Sequence, residues 1–239
     1  MLLAPVVGLA LALVASLVLL AGRWLVGGTE GSLLPAALAV ATLAWTTGGL
    51  HLDGLADTAD ALGSRRPAAA ALAVMRRSDV GPMGVSALVL VLLVQTFALA
   101  AATSSGVGTE SLVLAVVTAR VAVVLGCTRG VPAARSDGLG SEVAGTVPPA
   151  ATFGVVAALV GVAWVVGLAD ADGGPAQAVL AVTAGVAGAA LLLRRAIRRL
   201  GGVTGDVLGA GVEVATTLVL VVMAGSPDLA SPDWSWLRR

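Results

Sequence analysis

What most constrains this chain is the recurrence of apolar segments near the length a helix needs to cross a bilayer, about 20 residues for a hydrocarbon core of ~30 Å. Seven follow one another: Leu3–Leu20, Leu33–Leu50, Val85–Ala102, Ser111–Cys127, Phe153–Leu168, Ala176–Leu193 and Val207–Ala224. Each is read as a transmembrane helix, which makes residues 1–239 one all-α, polytopic integral membrane domain of about seven spans. Composition agrees: 12% of residues are charged, about half of what a soluble domain carries. Only 3% are aromatic, so the helices rely on small residues that let backbones approach closely where no hydrophobic force drives association. The first segment has no basic region before it and no small-residue cleavage site before Arg23 and Trp24, so it is read as a retained span rather than a signal peptide.

The loops after the second, fourth and sixth segments, near 51–81, 128–148 and 194–206, are long and polar. They hold Arg65, Arg66, Arg76, Arg77, Arg129, Arg135, Arg194, Arg195, Arg198 and Arg199. The positive-inside rule places these loops in the cytoplasm and the protein in the cell membrane. The opposite loops hold Arg23 and the acidic Glu30, Glu110, Asp170 and Asp172, so the amino terminus is expected inside and the tail with Trp234 and Trp236 outside. Those tryptophans and Trp24 suit interface anchoring. Net charge is zero and no basic stripe carries interleaved aromatics, which argues against a nucleic-acid partner. The lone Cys127 reads as a small core residue.

The richest chemistry lies in Gly48 to Gly63, GGLHLDGLADTADALG, where Asp53, Asp57 and Asp60 are spaced i, i+4, i+7 on one helical face. Three neighbouring carboxylates repel one another, and a divalent cation resolves the conflict. Oxygen ligands suit Mg²⁺, which takes one or two carboxylates together with substrate phosphates. A solvated surface helix is the bland alternative, but it needs neither Gly48 and Gly49 nor Gly54, which suggest close approach of backbone or ligand. His51 is a second-rank candidate for metal, phosphate or proton transfer; a single histidine is more often structural.

Further candidates lie on the same side. Pro67 to Arg77 reads as an apolar helix in the interface plane, running on to Asp79, a candidate metal ligand. Arg76 suits a substrate phosphate or, equally, anionic lipid. Asp206 and Glu213 share a helical face, with Glu213 about two turns into an apolar segment, where an ionised carboxylate is costly and functional by default. Gly205 and Gly209 suit helix packing, and Gly205 is also placed in the substrate pocket. Arg120, mid-span, needs an anion: Glu213 or a substrate phosphate. Arg135 extends a phosphate site from its loop.

GGLHLDGLADTADALG, MRRSDVGPMGV and LGGVTGDVLGA with Glu213 resemble the signatures of the cobalamin synthase (adenosylcobinamide-GDP ribazoletransferase) family, over nearly the whole chain. The resemblance implies a Mg²⁺-dependent membrane enzyme joining adenosylcobinamide-GDP to α-ribazole or its 5′-phosphate, with release of GMP. Asp53, Asp57 and Asp60, with Asp79, Asp206 or Glu213, would then hold the metal, and one free carboxylate would take the proton of the attacking hydroxyl. Two features depart from the family pattern. Arg77 and Asp79 flank their serine in the opposite order, and the chain begins closer to its first span. A CDP-alcohol phosphotransferase shares the clustered aspartates, but its Ala-Arg after Asp-Gly is missing here. A cation or vitamin transporter would need acidic groups strung across the membrane, whereas these gather on one side. Assembly into a homo-oligomer stays open.

Overall fold

The computed structural model describes residues 1–26, 32–77, 79–168 and 174–225, so Glu30, Asp170, Asp172, Trp234 and Trp236 lie outside the described residues. Ten helices follow in order: α1 Ala4–Val26, α2 Leu33–Thr46, α3 Leu50–Gly63, α4 Ala68–Val74, α5 Pro82–Ser104, α6 Gly108–Gly126, α7 Leu139–Val143, α8 Pro149–Gly167, α9 Gly174–Leu200 and α10 Gly205–Ala224. Among the described residues extended pairing is limited to isolated bridges, Thr128 with Val147 and Ala133 with Val203. Helices α1, α5, α6, α8, α9 and α10 are each long and apolar enough to cross a membrane, and α2 with α3, bent by 87° at the break between them, gives a seventh span when the pair is counted as one. The all-α bundle of about seven spans stands.

That seventh span differs from expectation. The segment read as one helix, Leu33–Leu50, stops at Thr46, and a new helix starts at Leu50. Gly48 and Gly49 have φ of 61° and 73°, the left-handed region that glycine enters without steric cost. The amide of Gly49 turns back to the carbonyl of Ala44 at 2.9 Å and ends α2. A hypothetical Cβ on either glycine would meet nothing within 4 Å, so these residues make the turn and no protein backbone closes on them.

Helices α6 and α10 form the centre: 67% and 61% of their apolar windows are buried, against 28% or less in α1, α5, α8 and α9. The outer helices turn Leu3, Leu17, Phe97, Phe153 and Val165 outward, as a lipid-facing surface requires.

The three arginine-bearing loops meet at one end. Arg76 pairs with Asp137 at 2.6 Å, and Arg135 Nη2 donates to the carbonyl of Leu72 at 2.7 Å. The amide of Ala134 donates to Val203 O at 2.9 Å, and that of Val203 donates to Pro132 O at 2.9 Å. The opposite end is closed by short contacts such as Ser32 Oγ with Ser104 Oγ at 2.8 Å. The arginine-bearing loops thus gather at one end of the bundle.

Candidate active site

Two glycines decide how α3 meets α10. A Cβ on Gly54 would lie 2.7 Å from Asp206 O and 2.9 Å from its Cα, and one on Gly209 would lie 3.2 Å from His51 Cα. The two backbones therefore touch at Gly54 and Asp206 and again at His51 and Gly209. This contact brings together carboxylates far apart in sequence. Asp57 lies within electrostatic reach of Asp53, Asp206 and Asp60, with Arg135 as the nearby cation. Asp53 is exposed, while Asp57, Asp60 and Asp206 are half-buried.

The local chemistry fixes two of these groups. Thr204 caps α10, its Oγ1 accepting from the Val207 amide at 3.2 Å and donating to Asp206 Oδ2 at 3.1 Å. A hydroxyl in this position satisfies a helix-terminal N–H and here also steers the carboxylate. Asp60 has a different partner set: Oδ2 accepts from the Gly81 amide at 2.7 Å and Oδ1 from the Gly84 amide at 2.9 Å. It caps the N-terminus of α5, where a negative charge complements the helix dipole.

The remaining candidates separate from this cluster. Asp79 is exposed and lines a surface pocket with Asp60, Arg66 and Arg77. Arg76 is occupied by Asp137. A Cβ on Gly205 would meet Leu139 at an ordinary 3.5 Å. Glu213 sits two helical turns below Asp206, about 10 Å along the axis, and its Oε2 accepts from Gln95 Nε2 at 2.8 Å. Glu213, Gln95, Arg120 and His51 line a common internal cavity. Gln95 is the one residue of this group not marked by its sequence pattern. A lone amide in the middle of an apolar span was the available signal, since such groups pair across helices.

Among the described residues no three acidic, imidazole or thiol side chains stand close enough to enclose a metal ion by themselves. The Asp53, Asp57 and Asp206 set nevertheless fits a hard cation that takes one or two carboxylates and completes its shell with phosphate oxygens and water. The donors are all oxygen, they come from two helices held in contact, and a cation stands beside them to receive a further anion.

A multi-span helical bundle that gathers acidic groups from a broken span and a central helix at its polar end defines an integral membrane protein with a carboxylate site. More narrowly, the chain belongs to the cobalamin-5-phosphate synthase family, whose model matches residues 1–224. It is 44% identical over 233 residues to the adenosylcobinamide-GDP ribazoletransferase of Frankia casuarinae, covering 94% of this chain and 84% of that protein. The protein of the same name from a Nocardioides species is 41% identical over 228 residues, 94% and 86% of the two chains. That of Pseudomonas entomophila is 41% identical over 222 residues, 92% and 85%. No solved structure matches the chain at a significant level.

Proposed function

We propose that this chain transfers adenosylcobinamide phosphate from adenosylcobinamide-GDP to α-ribazole or its 5′-phosphate, releasing GMP, with the site on the cytoplasmic side of the cell membrane. The observation that carries the reading is the contact of Gly54 with Asp206, which assembles carboxylates of α3 and α10 at the polar end. The family match and the names of the relatives supply the substrates. The arginine-bearing loops at the same end support the cytoplasmic orientation.

One or two of Asp53, Asp57 and Asp206 would hold Mg²⁺, which when bound neutralises charge on a diphosphate and on the departing nucleotide. Arg135, anchored to the Leu72 carbonyl, offers its remaining N–H groups to phosphate oxygens. Thr204 holds the Asp206 carboxylate in place. Asp60 fixes the start of α5 beside the cluster. The ribazole hydroxyl forms a bond to the cobinamide-side phosphorus as the bond to the GMP oxygen breaks, and a carboxylate not committed to the ion takes the hydroxyl proton.

The test is GMP release from adenosylcobinamide-GDP by purified protein in detergent or liposomes, with each acceptor. Turnover is expected with Mg²⁺, loss with EDTA and recovery on adding Mg²⁺ back. Undiminished turnover after exhaustive chelation would remove the metal from the reading, and no GMP release with either acceptor would remove the reaction. The transporter alternative predicts uptake into proteoliposomes without GMP.

A further inference from the structure

Below the carboxylate cluster a partly open cavity of about 20 Å³ lies where α2, α3, α5, α6 and α10 meet, enough for one water molecule. Its polar lining is Thr47, His51, Gln95, Arg120, Glu213 and Thr216. Arg120 is 7% exposed, and its Nη1 has no hydrogen-bond partner in the protein. Among the described residues it forms no ion pair, so it faces Glu213 across the cavity without touching it. Glu213 is held from the other side by Gln95, whose Nε2 also donates to Thr217 Oγ1 at 3.1 Å.

Charged groups this deep in an apolar bundle are retained only where they are compensated, and a buried polar cluster serves geometry more readily than stability. Geometry is what this region needs. The turn at Gly48 and Gly49 is closed by local backbone hydrogen bonds such as Gly49 N–H to Ala44 O at 2.9 Å, but the Cβ positions of both glycines face open space, so no side-chain packing at the glycines braces the 87° angle. Thr47 before the turn and His51 after it both line the cavity, and Asp53 follows His51 by two residues.

We propose that Arg120, Glu213 and Gln95, around a cavity that takes one water molecule, are positioning residues that fix the angle of the broken span and thereby hold Asp53 and Asp57 against Asp206. The inference rests on transfer taking place at that aspartate cluster.

Arg120→Met alone leaves Glu213 uncompensated, and its melting temperature is expected to fall on the order of 10 °C. Arg120→Met with Glu213→Leu removes both charges and should recover the wild-type melting temperature. In that folded double variant, kcat for GMP release should stay at least about tenfold low while KM for adenosylcobinamide-GDP is unchanged, because misplacing catalytic groups slows the step without removing binding contacts. A folded double variant with wild-type kcat overturns the proposal. If the double variant does not fold, Gln95→Leu decides: it keeps both charges and frees the Glu213 carboxylate, and kcat should drop about threefold with KM held. Wild-type kcat in Gln95→Leu then overturns the proposal. Asp53→Asn is assayed in parallel. Its retained turnover would sink the placement of the reaction, whereas an inactive Asp53→Asn beside a fully active double variant sinks the positioning role alone.

Discussion

The aspartates of α3 share a helical face but have different neighbours, and substitutions at them should separate accordingly. Asp60 uses both oxygens on the amides of Gly81 and Gly84. Asp60→Ala therefore removes a cap and should cost about 1–2 kcal/mol, read as a lower melting temperature. Asp53 and Asp57 have no such structural bonds among the described residues. Asp53→Asn and Asp57→Asn should keep the helical circular dichroism and the melting temperature while kcat for GMP release falls about a hundredfold or more, the scale of losing a charged group aimed at the transferred phosphoryl. Near-wild-type turnover in either variant would mean the carboxylates serve something else. The spacing of these residues already marked them as a set; it did not separate the cap from the others, because Asp60's partners lie more than 20 residues away.

At the scale of elements, the broken span and its contact with α10 set the site. Gly54→Val would place a branched side chain where Asp206 backbone atoms lie 2.7–3.2 Å from a Cβ. Overpacking of this kind costs about 1–3 kcal/mol, and it should also lower kcat by pushing α3 from α10. Gly49→Ala meets open space and pays only for its left-handed φ, about 1–2 kcal/mol. Melting curves paired with GMP-release assays distinguish the two: stability loss with strong loss of kcat for Gly54→Val, stability loss of similar size with a smaller kcat effect for Gly49→Ala. Hydropathy located the span but not its break. An apolar run measures how much chain sits in lipid, and the direction of that chain depends on two φ angles.

For the whole molecule, the convergence of three loops at one end makes the topology testable. Cys127 is buried and free, so cysteines introduced at exposed positions report the two sides. Ser136→Cys on the polar end should react with a membrane-impermeant maleimide only in inverted vesicles, and exposed Ser105→Cys on the other end only in intact cells; the reverse pattern would invert the proposed orientation. The number of spans, the side bearing the arginines and the acidic motifs were all legible in the sequence, since transfer to lipid and charge bias act on local composition. So was the pairing of Asp53 and Asp57, which helical periodicity alone requires. Tertiary structure decided the rest. It joined Asp206 to those aspartates, gave Asp60 to α5, and set Glu213 two turns deeper with Gln95 and Arg120. These outcomes depend on which helices touch and at what register, a matter of shape complementarity at glycine contacts that no single helix encodes.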